Sequence, residues 1–129
     1  MTISRRGARR AALFMLFQWD VTGKPLGSTY EGEVDEFARE TADAVAESAA
    51  KLDRRIDEAT EDWPADRLGA LERNVLRIGI YELEKGEVPP EVAIDEAVRL
   101  AKRYGSDEAG KLVNGILGRI VREGAESER

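Results

Sequence analysis

Apolar residues recur at helical spacing along this chain, and the strongest stretch comes first. Residues 4–19 read SRRGARRAALFMLFQW, so that Arg5, Arg6, Arg9 and Arg10 precede a nearly unbroken apolar run from Ala11 to Phe17, closed by Trp19. At about 100° per residue, Ala8, Ala12, Met15, Leu16 and Trp19 gather on one side of a helix, and Arg6, Arg10, Leu13 and Phe17 on the other. An apolar side this wide predicts a helix contacted by several others. Four arginines at the start oppose the helix dipole, which prefers negative charge there, so local stability does not explain them.

The Gly- and Pro-bearing residues 20–32 read as a loop. Residues 33–51 and 52–60 read as two helices, acidic outside and thinly apolar inside, a scaffold that Trp63 is expected to seal. A broader face follows in residues 66–85, through Leu68, Leu71, Val75, Leu76, Ile78 and Leu83. Glu82 falls on it, and a partly buried carboxylate needs a charged or hydrogen-bonding partner. Arg73, Arg77 and Tyr81 lie opposite, where spacing alone predicts a solvated face. After a turn at residues 86–89, Pro90 opens a helix to Tyr104, Gly105 is expected to end it in the left-handed conformation, and Ser106 to cap the next. Leu112, Val113, Ile116, Leu117, Ile120 and Val121 make the last stripe, with Gly115 and Gly118 expected to allow close helix approach and the chain to fray from Gly124. There is no strand signal and no internal repeat.

Composition narrows the chemistry. The 129 residues suit one domain; no cysteine excludes disulfides and thiolate chemistry, and no histidine removes the commonest metal ligand and general base. No apolar run approaches the ~20 residues that cross a bilayer, and nothing marks a signal peptide, so a cytoplasmic location away from membranes is expected. The net charge of −6 is uneven: residues 1–19 carry +4, residues 20–62 carry −8 and residues 63–129 carry −2. An acidic body with one basic patch argues for site-limited nucleic-acid contact.

Arginines in line with an exposed ring suit single-stranded RNA, because guanidinium pairs with phosphate in fork geometry and a ring offers an unstacked base a platform. The competing reading makes Phe17 plain core and the arginines a solvated helix start. The pair 90–104 and 107–121 resembles a helix-turn-helix, but Asp107 and Glu108 would face the groove with negative charge, which argues against DNA reading. No carboxylate pair stands out for acid–base work, so no enzyme and no cofactor are expected.

Three blocks carry a family resemblance. They are Arg5-Arg6-Gly7-Ala8-Arg9-Arg10 with Ala12-Leu13 and Phe17-Gln18-Trp19; Glu72-Arg73-Asn74-Val75-Leu76-Arg77-Ile78 with Tyr81-Glu82-Leu83; and Val88-Pro89, Val92-Ala93-Ile94-Asp95-Glu96-Ala97, Leu100-Ala101-Lys102, Gly105 and Lys111-Leu112-Val113-Asn114-Gly115-Ile116-Leu117. In this order they resemble the NusB family of bacterial transcription antitermination factors; residues 20–62 match by helical character only.

The resemblance implies an all-α fold of two small helical bundles packed at an angle, residues 1–62 and 63–124, with a tail at 125–129. It implies binding of boxA-type RNA from ribosomal RNA leader transcripts, together with a NusE-type ribosomal protein, in an antitermination complex on RNA polymerase that supports ribosome biogenesis. By position, Arg5, Arg6, Arg9, Arg10, Phe17, Arg77 and Lys111 would meet RNA, and Glu72, Tyr104, Glu108 and Leu112 the protein partner. Phe17 stands where some members have Tyr, so stacking survives without a hydroxyl hydrogen bond; Leu112 stands where an aromatic can occur. Some members self-associate over the RNA surface, which leaves a homodimer open. A similar module also begins some ribosomal RNA methyltransferases, but no such domain is expected here. The rival is a helical adaptor whose arginines bind an acidic protein surface.

Overall fold

A computed structural model describes residues 4–29, 34–60 and 64–127, and among them every regular element is helical. The first helix, α1 (Arg5–Thr22), begins where the Ser4 hydroxyl accepts the Gly7 N–H at 3.0 Å and ends at Gly23, whose φ of 72° suits a residue without Cβ. It therefore runs three residues beyond Trp19, and Asp20, expected in a loop, belongs to its last turn. A 3-10 turn, Leu26–Thr29, follows.

The middle of the chain divides at Ser48, between α2 (Glu36–Glu47) and α3 (Ala49–Ala59), a few residues before the break expected from the sequence. Asp35 caps α2 by accepting the Ala38 N–H. The start expected at Glu33 and the role expected of Trp63 lie outside the described residues. Residues 65–67 form a separate 3-10 turn, so α4 (Ala70–Lys85) starts later than the 66–85 pattern predicts.

Pro90 opens α5 (Pro90–Tyr104) as expected, and the Ser106 hydroxyl caps α6 (Asp107–Ser127) by accepting the Ala109 N–H at 3.0 Å. Helix α6 continues through Gly124, where fraying was expected. Gly105 is not left-handed, with φ −118° and ψ −101°. Glycine is required there for space instead: a Cβ would stand 2.8 Å from the Ala101 carbonyl oxygen, 2.8 Å from Leu71 Cδ2 and 3.2 Å from Ala109 Cβ. The close approaches expected at Gly115 and Gly118 occur elsewhere, at Gly79, where a Cβ would meet Leu117 at 2.8 Å, and at Gly110, where it would meet the Lys102 stem at 2.6 Å.

One buried cluster joins the helices, with Leu13 and Leu16 of α1, Val45 of α2, Leu52 and Ile56 of α3, Val75, Leu76 and Ile80 of α4, and Val113 and Leu117 of α6 among its fully enclosed side chains. Helix α1 packs between α2 and α4, and α5 lies against α4 and α6. Arg9 near the start of α1 meets Glu82 near the end of α4, whereas Asp20 at the end of α1 meets Arg73 near the start of α4, so the two helices run antiparallel. This arrangement leaves one face of α1 open beside α5.

Candidate nucleic-acid interface

That open face displays Arg6, Arg10, Phe14, Phe17 and Val21, all exposed. Leu13, expected among them, is fully buried, and Phe14 takes its place, 47 % exposed. The stripe turns because the row Arg9, Leu13, Leu16 and Asp20, at successive helical turns, faces α4. The Phe14 ring stands edge-on to Tyr104 of α5, with centroids 5.1 Å apart and planes at 77°. Phe17 is 39 % exposed, too open to be plain core.

Between α1 and α5 lies a groove of about 400 Å³ lined by Arg6, Arg9, Arg10, Glu96, Arg99, Leu100, Lys102, Arg103 and Tyr104. Its floor is neutralised. Arg6 donates to Glu96 through Nε at 3.1 Å and Nη2 at 2.8 Å, while Arg9 donates through Nε to both Glu82 oxygens at 2.8 and 3.0 Å and reaches Glu96 at 4.0 Å. Arg9 answers the question posed by a carboxylate on the buried face of α4. The hydrogen bond from Arg6 holds the Glu96 carboxyl below the usual carboxylate range, against its partial burial and with help from the charges of Arg6 and Arg9. At Glu82 burial wins instead, raising its carboxyl above that range despite the Arg9 hydrogen bond.

The rim is different. Arg10, Arg99, Lys102 and Arg103 are exposed and make no ion pair among the described residues. Arg103 lies 5.5 Å from the Tyr104 ring centroid, close enough for a cation–π contact. With the floor acids engaged, the open surface of the groove is positive and ends in aromatic rings. Sequence reading passed over Phe14, Arg99 and Arg103 and used Lys102 only as part of a motif. The basic last turns of α5 were visible, but nothing in the sequence placed them opposite α1.

The remaining candidates separate. Arg5 turns away from the groove, its guanidinium 3.9 Å above the Phe37 ring of α2. Lys111 is exposed on α6 and lines no groove described here. Arg77 is 6 % exposed, which corrects the solvated face predicted for it. It makes four hydrogen bonds, two to Asp53, one to Asp20 and one to Asn74, of the five a guanidinium can donate. The ring of Trp19 lies 5.7 Å from it. Arg73 is likewise drawn inward, donating to Asp20 and to the Ala65 and Leu68 carbonyls. Burial would raise the Asp20 carboxyl, but hydrogen bonding and charge from Arg73, joined by the Arg77 charge, hold it below the usual range.

Of the four residues expected at a protein partner, Glu72, Glu108 and Leu112 meet in a second, open groove between α4 and α6, with Arg67, Leu68, Gly69, Ser106 and Ala109. Tyr104 belongs to the basic groove. The corner at Gly105 separates the two. Among the described residues no group of three acidic side chains could hold a metal ion, and no helix is long and apolar enough to cross a membrane.

The transcription antitermination protein NusB of Rubrobacter xylanophilus is 42 % identical over 122 residues, 89 % of this chain and 88 % of its own length. The structure of NusB from T. maritima superposes with a TM-score of 0.84 at 37 % identity, covering 95 % of this chain and 94 % of that one. A crystal structure of the antitermination factors NusB and NusE in complex with double-stranded RNA gives 0.82 at 31 % identity, covering 92 % and 96 %. The family is one of RNA-binding transcription antitermination factors, not of enzymes. The NusB family model matches residues 6–122, which takes in α1 through most of α6, and the chain belongs to the NusB family.

Proposed function

We propose that this protein is a transcription antitermination factor that binds boxA-type RNA of ribosomal RNA leader transcripts together with a NusE-type ribosomal protein, in the cytoplasm and on the transcribing polymerase. The observation that carries the reading is the exposed row Arg6, Arg10, Phe14 and Phe17 on a chain whose net charge is −6. An acidic protein that keeps Arg10 unpaired, and Arg6 open along its outer edge, in line with open rings is built for an anion with planar groups attached.

In this reading Arg10 and the outer edge of Arg6 hold phosphates, and Phe17 stacks on a base. Arg5 and Lys111 add to the positive field from either side. Arg9 and Arg77 act from behind, fixing α1 on α4. The second groove, with Glu72 and Glu108 around the half-buried Leu112, suits a basic protein partner with an apolar anchor.

Fluorescence anisotropy of a labelled boxA RNA against a scrambled control, with and without a NusE-type protein, tests this. Tighter, sequence-dependent binding with the partner is expected. Equal and weak binding of both RNAs under both conditions would overturn it.

A further inference from the structure

The α5 wall of the basic groove has no part in the binding just described, and its chemistry is the more one-sided of the two walls. On α1, Arg6 is tied to Glu96 by two hydrogen bonds and only Arg10 is without an acid. On α5, Arg99, Lys102 and Arg103 all line the groove, all are exposed, and none has an acidic partner among the described residues. Their one acidic neighbour inside the groove, Glu96, is 9 % exposed and ion-paired by Arg6 and Arg9, while Arg99 acts on it through its charge alone. The C-terminal end of α5 favours Lys102 and Arg103, and Arg99 feels the charge of Glu96, yet all three keep their charged ends open to solvent.

We infer that the last turns of α5 form a phosphate track, with Arg99, Lys102 and Arg103 holding the backbone of single-stranded RNA opposite Arg10 while its bases turn towards Phe14, Phe17 and Tyr104. Helix geometry sets the spacing. Arg6 and Arg10 on one wall, and Arg99 and Arg103 on the other, are each one turn apart, about 6 Å along the axis, comparable to the step between phosphates of an extended strand. A strand lying in the groove therefore meets a cation on either side at successive phosphates. The rings stand at one end, so backbone and bases are sorted by position: charge along the groove, stacking at its mouth. An acidic polypeptide would use the cations but leave the rings idle, and a duplex would offer no unstacked base to them.

The track rests on the RNA reading above, and the experiment separates the two. The triple variant Arg99→Gln, Lys102→Gln, Arg103→Gln keeps polar side chains and much of the Lys102 stem over Gly110. A control variant, Lys24→Gln, Arg54→Gln, Arg122→Gln, removes the same charge from exposed positions outside the groove. Binding of labelled single-stranded boxA RNA is followed by anisotropy across a salt series, and circular dichroism melting verifies the fold. Each phosphate contact of a single strand contributes about 0.7 to the slope of log K against log salt, so three lost contacts lower it by about two. The expected result is that fall, with at least tenfold weaker binding in the α5 variant and little change in the control. Equal loss in both variants overturns the track as a general charge effect, and an unchanged slope in the α5 variant overturns it directly. If the wild-type chain binds neither boxA nor scrambled RNA, the functional reading itself fails.

Discussion

The two ends of α1 carry charge clusters of similar make-up and opposite consequence. At the C-terminal end Asp20 is the acid and α4 supplies the donors: the cations Arg73 and Arg77 and the neutral amide of Asn74 all converge on it, and Asp53 of α3 takes the rest of Arg77. Donors and acceptors nearly balance there and little is left for solvent. At the N-terminal end the signs are exchanged. Arg6 and Arg9 sit on α1, Glu82 and Glu96 come from α4 and α5, and beyond this balanced floor Arg10, Arg99, Lys102 and Arg103 remain over. The difference teaches that burial alone does not separate framework from site; the surplus does. Charges that cancel lock helices together, and charges left over wait for something else.

The sharpest way to break this comparison is to remove Arg77. Arg77→Met leaves Asp53 without its guanidinium partner and takes one of three donors from Asp20, in a mostly buried setting, and should cost about 3 kcal/mol, read from the urea midpoint. RNA affinity per folded molecule should stay at the wild-type value; a selective loss of RNA binding would return Arg77 to the site. Next in size, Phe17→Ala should weaken boxA binding by about tenfold, within the ~1–3 kcal/mol of a base–ring stack, while shifting stability by no more than about 0.5 kcal/mol. A large fall in stability would instead make Phe17 core.

Acid should act on the two ends unequally. Asp20 and Glu96 have folded pKa values below their unfolded ones, so the stability they contribute is present above the unfolded value and is lost as pH falls through the folded one. Glu82 is raised, so it penalises folding at neutral pH, and the penalty is relieved as pH falls through its raised value towards 4.5. Urea midpoints taken from about pH 7 to about pH 3 should therefore show a smaller acid loss in Asp20→Asn than in wild type. Glu82→Gln should remove the partial compensation and steepen the loss. Identical profiles would mean that neither end governs acid stability. Smallest of all, Glu123→Ala breaks the exposed Arg119–Glu123 pair on α6, which belongs to neither end, and should change stability by less than about 0.5 kcal/mol.

How far the sequence could be read follows the same division. The all-α fold, the basic start of α1, the exposed Phe17 and the buried carboxylate on α4 were legible because each is set by local spacing. So were the openings of α5 and α6, where Pro90 and Ser106 carry local signals. Arg77 misled, because spacing tells which side of a helix a residue takes but not which helix will cover that side. Asp20, the residue that draws Arg77 inward, lies 57 positions away and was read as loop. Arg99 and Arg103 drew no reading at all and Lys102 only one as part of a motif, since a groove is a relation between two helices and neither sequence segment contains it. The family resemblance grouped Glu72, Tyr104, Glu108 and Leu112, of which all but Tyr104 line the second groove, where helical spacing had made Leu112 core.

Gly105 lends the molecule a property of measurement. A Cβ there would press on α4, α5 and α6 at once, in the one-residue corner between Tyr104 at the end of the basic groove and Ser106 at the rim of the second. Such a corner sits where the pivot of a caliper would, with one groove on either side. Two guests gripped on either side of it would meet at a distance written into the backbone, and a single added methyl group would miscalibrate both jaws together.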